Sequence, residues 1–178
     1  PLVADGKSKL EGIILVKTDS PLVSIQQLEG KKMAFPAPNA FAASLLIRSL
    51  LARDGIDIDP VYVKSHNNVY RSIIVGDVVA GGGVNNTLDR EPQEVRDQVK
   101  ILYRTPEFMP HPFSANPRIS PDVRMKVAQA FIDLTKTECG RTMLDGIQIP
   151  EPVLVDYKRD YLPLEKLSVK KFVVNGTN

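Results

Sequence analysis

Short apolar runs, each closed by a turn signal and followed by a segment of helical spacing, set the pattern of this chain. Residues 12–17, GIILVK, are mostly β-branched and end at Asp19, Ser20 and Pro21, which predicts a strand. Ser24 followed by Gln27 fits a capping box opening a short helix, SIQQLEG, with Gly30 placed to stop it. KKMAFP, residues 31–36, reads as the next strand, and Pro36, Pro38 and Asn39 turn the chain. Phe41, Leu45, Leu46, Leu50 and Leu51 then recur at near-helical spacing as far as Gly55. Val61, Tyr62 and Val63 predict a strand, Ser65 caps a helix from His66 to about Val75, and Gly76-Asp77 turns the chain into the strand VVAGGGV.

The second half is less regular. Residues 91–98 read as a solvated helix, ILYRT from 101 as a strand, and PHPFSAN from 110 as another whose Pro112 belongs at an edge. Ser120-Pro121 starts a helix on which Val123, Val127, Ala130, Phe131 and Leu134 draw one apolar stripe. Gly140, Gly146, Pro150 and Pro152 break the next stretch into short helices and turns, ending in a helix near Tyr157 to Leu167. SVKKFVVNGTN predicts an extra strand with a frayed end; Asn175-Gly176-Thr177 also matches a glycosylation acceptor, but so short a pattern at a chain end is weak and a loose terminus explains it better. Strands alternating with helices predict an α/β fold with a largely parallel sheet.

Composition narrows the function. The 178 residues are 43% hydrophobic, enough to build the core of one or at most two domains. Lys and Arg number 23 against 21 for Asp and Glu, interspersed, so no broad field recruits nucleic acid or an anionic membrane, and any anion site must be local. The single cysteine, Cys139, excludes an internal disulfide framework and a multi-cysteine metal site. No apolar run reaches bilayer length, and PLVADGKSK lacks the layout of a signal peptide, so the chain is expected to be soluble as given, any targeting segment having been removed or lying upstream.

Candidate chemistry lies where helices begin after strands, because free backbone N–H groups and a partial positive charge collect there. The turn through Asn39, Ala40, Phe41 and Ala42 is one such place, Ser65-His66-Asn67 a second, and Asn85-Asn86-Thr87, after the glycines at 81–83, a third. Such neutral clusters suit a small polar or anionic ligand held by dipoles. Each has a plainer reading beside it: Ser65 as an N-cap, Asn85-Asn86 as a turn, His66 as a polar helix-start residue. His111, in FMPHPF, reads better as part of an edge strand or loop. Cys139 sits in KTECGRT without a nucleophile elbow, the two histidines lack a spaced acidic partner, and GGGV lacks a phosphate-loop pattern, so no enzyme activity, metal or cofactor is expected.

GIILVKTDSPLVSIQQLEGKKMAFPAPNAFAASLLIRSLL, then VYVKSHNNVYRSIIVGDVVAGGGV, then SPDVRMKVAQAFIDL and DYLPL, together spanning about residues 10–167, resemble the periplasmic phosphate-, phosphite- or phosphonate-binding components of ABC transporters. The resemblance implies a type 2 periplasmic-binding-protein lobe, with a mostly parallel sheet flanked by helices, hinge strands and C-terminal helices. It also implies an anion gripped by a hydroxyl run at the start of the helix after the "A-F" strand and by the histidine of a Ser-His pair. His66 matches that histidine; Ala40, Phe41 and Ala42 stand where the hydroxyl run belongs, so three donors are replaced by apolar groups and an aromatic ring. A phosphate- or phosphonate-type anion, or a derivative with an apolar part, is the implied ligand, and ABC membrane subunits are the implied partners.

The implied organisation is a hinge or crossover region over residues 1–19, a ligand-binding α/β lobe over 20–116, and C-terminal helices with a remnant of the other lobe over 117–178. The family's opening segment is expected to be missing, which would expose cleft and hinge surfaces and favour a homodimer. A ligand-sensing domain of a membrane receptor of the histidine-kinase type, and the effector domain of a LysR-like transcription regulator, are the alternatives to an extracytoplasmic solute-binding protein.

Overall fold

Seven strands, β1 (Val3–Asp5), β2 (Gly12–Lys17), β3 (Lys32–Phe35), β4 (Asp59–Tyr62), β5 (Ala80–Val84), β6 (Val99–Arg104) and β7 (Pro152–Leu154), fall into two sheets of a computed structural model that describes residues 1–7 and 9–174. The helices are α1 (Ile47–Arg53), α2 (His66–Val75), α3 (Asn85–Leu88), α4 (Gln93–Arg96), α5 (Pro121–Leu134) and α6 (Glu138–Gly146), with shorter 3-10 and π turns between them. Contacts divide the chain into one unit of residues 1–10 and 107–166 and another of residues 11–106 and 167–178.

The larger unit is built on a five-stranded sheet in the order β4-β3-β5-β2-β6. The run GIILVK forms its strand because both faces are covered: Ile13 and Leu15 join Ala34, Val69, Tyr70 and Ile73, while Ile14 and Val16 join Leu28, Met33, Phe35, Ile47 and Leu51. β3 pairs in parallel with β4 and with β5, whereas β2 pairs antiparallel with β5 and with β6. The sheet is therefore mixed but mostly parallel: β4, β3, β5 and β6 run the same way and β2, inserted between β5 and β6, runs against them. The mostly parallel direction expected from the sequence pattern is thus found; apolar runs reveal burial but not strand direction, which is why the reversal of β2 was not predicted.

Glycines in the sheet decide how closely the helices approach. A Cβ on Gly82 would strike the carbonyl of Ala43 and the Phe35 ring, and one on Gly12 would come within 2.5 Å of the Ala42 carbonyl. The turn Phe41–Leu46, which is a π-helix leading into α1, thus rests its backbone directly on the sheet. On the opposite face Gly81 makes room for Val69 and Ile73 of α2. Gly30, Gly55 and Gly76 take positive φ values of 67°, 75° and 85° where the chain must turn, and Gly76 closes α2 as its left-handed C-cap.

The C-terminal part of this unit does not form the expected strand. Residues 169–172 are a 3-10 turn laid against α1. Arg48 places its guanidinium 5.0 Å from the Phe172 ring centre and 5.8 Å from that of Tyr62, and donates to the Phe172 carbonyl. The Asn175-Gly176-Thr177 pattern and the expected frayed end lie outside the described residues.

In the smaller unit β1 pairs antiparallel with β7, and α5 packs against α6. The predicted strand at PHPFSAN is reduced to one bridge, Val3 to Phe113, because prolines 110, 112 and 117 limit the ladder. Phe113 packs on Phe131 at 4.8 Å between ring centres. The apolar stripe of α5 is rotated from the expected one: Arg124, Val127, Ala128 and Phe131 turn inward, and Val123 and Ala130 are exposed. Cys139 is an exposed residue of α6.

Candidate functional site

Because β3, β4 and β5 are parallel neighbours, their C-terminal ends meet at one edge of the sheet. From that edge the chain leaves β3 toward the face covered by α1, and leaves β4 toward the face covered by α2. Such a reversal opens a crevice between the two departing connections. A cleft of about 390 Å³ lies there, lined by Pro36 after β3, Lys64, Ser65, His66 and Asn67 after β4, and Thr87, Arg90 and Glu91 after β5.

Local sequence explains the shape of the β4–α2 wall. Ser65 has extended backbone angles and its Oγ accepts from the Asn68 amide, while the Asn68 side chain reaches back to donate to the Val63 carbonyl at 2.7 Å. The first-turn amides of His66 and Asn67 are thereby left at the mouth of a ten-residue helix, where the partial positive charge concentrates. Lys64 reaches this turn with φ of 74°, a left-handed conformation that costs a residue with a Cβ about 1–2 kcal/mol.

A hydroxyl network supports the histidine from behind. Thr87 Oγ1 donates to the Val84 carbonyl at 2.7 Å, lies 3.0 Å from the Tyr70 hydroxyl, and lies 3.5 Å from His66 Nδ1. Burial withdraws solvent from the His66 ring and holds its pKa below the ordinary histidine value; the same cause pushes the Tyr70 phenol above its own. In the free protein His66 is therefore predominantly neutral at neutral pH.

The nine residues singled out from sequence are not all brought together. Ser65, His66 and Asn67 line the cleft. Asn39 is turned away to the C-terminal segment, its Nδ2 donating to the Val174 carbonyl and its Oδ1 accepting from the Val174 amide, both at 2.9 Å. Ala42 is buried against Gly12, and Ala40 and Phe41 are half-buried at the start of the π turn, which no side chain caps. Asn85 and Asn86 form the start of α3, with the Asn85 amide donating to the Glu11 carbonyl, so the position facing the cleft in this cluster is Thr87. The picture of two helix starts bearing Asn39 and His66 on a shared gap is corrected accordingly: the cleft is built on the β4–α2 start and on the segment after β5. Lys64, Arg90 and Glu91 carry the cleft's charge and were not singled out. The pattern S-H after a strand pointed to their neighbourhood, but charged loop residues carry no distinguishing mark in a sequence. His111 is an exposed residue of the other unit.

Among the described residues no group of three or more His, Cys, Asp or Glu side chains is placed to hold a metal ion, and no helix is long and apolar enough to cross a membrane.

Comparison with known proteins gives the fold its relatives. The chain superposes on a Xanthomonas citri protein bound to ATP with a TM-score of 0.86 at 20% identity, covering 98% of this chain and 73% of that one. It superposes on the binding-protein component of an ABC phosphonate transporter from Pseudomonas aeruginosa with a TM-score of 0.73 at 15% identity, over 96% and 61% of the two chains. A Prochlorococcus marinus protein in complex with methylphosphonate gives 0.72 at 15% identity, over 92% and 67%. These likenesses establish the type 2 periplasmic-binding-protein fold. A family profile described as ABC transporter, phosphonate, periplasmic substrate-binding protein matches residues 1–161. That family works in the periplasm, where its members bind small anions and serve ABC membrane subunits, so the importer reading stands over the receptor and transcription-regulator alternatives. With the match extending over most of its length, the chain belongs to the periplasmic substrate-binding proteins of ABC phosphonate transporters.

Proposed function

We propose that the cleft at the C-terminal edge of β3, β4 and β5 holds the phosphorus oxyanion, with His66 and the first-turn amides of α2 as its principal hydrogen-bonding partners. The observation that carries this reading is the convergence of Ser65, His66 and Asn67 with Thr87 and the cations Lys64 and Arg90 around one cavity. Backbone amides and charge there offset the hydroxyl side chains replaced by Ala40, Phe41 and Ala42. A hydrogen bond to an ionised group contributes about 1.5–3 kcal/mol, so two amides and one imidazole supply about 4.5–9 kcal/mol, which reaches micromolar binding only near its upper end and leaves a share for Lys64 and Arg90. Membership of the phosphonate-transporter binding proteins favours a ligand whose phosphorus carries an organic substituent over inorganic phosphate.

Calorimetric titration with methylphosphonate, phenylphosphonate, inorganic phosphate, sulfate and ATP tests the reading. Organophosphonates are expected to bind most tightly, and His66→Ala to weaken them by about 10- to 100-fold. Undiminished binding to His66→Ala would place the anion elsewhere.

A further inference from the structure

The hydroxyl network behind His66 fixes more than the position of the ring. Thr87 Oγ1 has one proton, and it is donated to the Val84 carbonyl, a group that only accepts. The Tyr70 hydroxyl at 3.0 Å must then be the donor in its contact with Thr87, and a hydrogen bond from His66 at 3.5 Å requires the proton on Nδ1. In the neutral ring this leaves Nε2 with a lone pair. A ligand oxygen without a proton, presented to that lone pair, is repelled rather than bound.

We propose that Thr87 and Tyr70 hold neutral His66 in its Nδ1–H form, so that the cleft takes up an oxyanion only together with one proton. This rests on the site reading above and deepens it. Two arrangements satisfy the requirement: a phosphonate monoanion donates its P–O–H to Nε2, or the dianion accepts from Nε2–H of an imidazolium. They contain the same atoms and differ only in which side of one hydrogen bond holds the proton. Burial of the ring disfavours the imidazolium in the free protein, which assigns proton uptake to the binding step. The charged groups around the cleft are Lys64 before α2 and Arg90 and Glu91 after α3, and Asp89 acts on Tyr70 together with Glu91. Lys64 and Arg90 favour the anion; Glu91 opposes it and favours the extra proton.

The consequence is a means of telling phosphonates from sulfonates. A phosphonate brings its own proton at neutral pH; a sulfonate has none to give and must wait for the imidazolium. Thr87 and Tyr70 are positioning residues in this scheme, acting through His66.

The test is calorimetry with methylphosphonate in phosphate-free buffers of differing protonation enthalpy, at a pH about one unit above the ligand's second ionisation. Wild-type protein is expected to take up about one proton per ligand bound, and affinity to fall about tenfold per further pH unit. Thr87→Val removes the acceptor for Nδ1–H, releases the Nε2–H tautomer, and is expected to reduce the uptake to less than half; Thr87→Ser restores it. Methanesulfonate is expected to bind the wild type far more weakly than methylphosphonate, and the gap to narrow in Thr87→Val. Nitrogen-detected NMR of ligand-free protein, with only two histidines to assign, reads the tautomer directly and does not depend on any variant folding. An Nε2–H tautomer, or tight methylphosphonate binding without proton uptake, would overturn this inference while leaving the site in place. Absence of binding by any phosphorus oxyanion would overturn the site reading and this inference with it.

Discussion

Replacing Gly82 by alanine tests whether the π turn at residues 41–46 truly rests on the sheet. The added Cβ would lie 2.6 Å from Cδ1 and 2.7 Å from Cε1 of Phe35, and closer still to the Ala43 carbonyl oxygen. Ordinary contact begins at 3.4 Å, so the Phe35 atoms alone must retreat by 3.4 − 2.6 = 0.8 Å and 3.4 − 2.7 = 0.7 Å. Phe35 is fully buried and the carbonyl belongs to the backbone, so neither can swing aside. Overpacking of this kind costs about 1–3 kcal/mol, against which the lower chain entropy of alanine returns about 0.4–1. Gly83 is the control: it is the next residue of β5, on the opposite face, and its Cβ would meet Ile13, Leu15 and Tyr70 at 3.3–3.5 Å. Urea denaturation followed by far-UV circular dichroism should show Gly82→Ala destabilised by about 1–2 kcal/mol and Gly83→Ala close to wild type. Equal stability of the two variants would refute the seating of the turn on the sheet.

Other perturbations test the same geometry. Ser65→Ala deprives the Asn68 amide of its cap and should lower stability by about 0.5–2 kcal/mol in the same denaturation assay, with a smaller loss in Ser65→Asp. Arg48→Ala removes the cation between Tyr62 and Phe172 and its bond to the Phe172 carbonyl; limited proteolysis should then cut within residues 167–174 faster than in wild type. The Asp160 carboxyl, held down to about 2 by hydrogen bonds from Arg159, should titrate near that value by NMR and return toward about 3.9 in Arg159→Gln. Since its pKa is depressed on folding, any stability it confers is complete above about pH 3.9 and is lost as pH falls through about 2, never on the alkaline side.

What the sequence discloses depends on whether the signal is local. The cap at Ser65, the turn at Gly76 and the strand over residues 12–17 all appeared as expected, because each is set by neighbouring residues. The reversed direction of β2, the one strand that runs against the other four, left no trace, since an apolar strand looks alike read either way. Asn39 misled for a related reason: its partner Val174 is 135 positions away, and nothing in the turn announces that its amide is already engaged. Phe41, Leu45 and Leu46 are spaced closely enough to a helix that a π turn and an α-helix cannot be told apart from them. The cleft was half legible. Ser65-His66 stood out through the family pattern and Thr87 through its polar cluster after the glycines, whereas Lys64 and Arg90 became meaningful only when the parallel strands brought their loops to one edge.

Lys64, with its left-handed backbone, shows what this arrangement demands of the chain. Glycine at that position would relax the turn and raise the melting temperature, yet it would strip a cation from the rim of the cavity. With the anion held as proposed, a variant selected for heat resistance alone would drift toward glycine there and lose grip on it, so tolerance of heat and retention of cargo would pull this single residue in opposite directions.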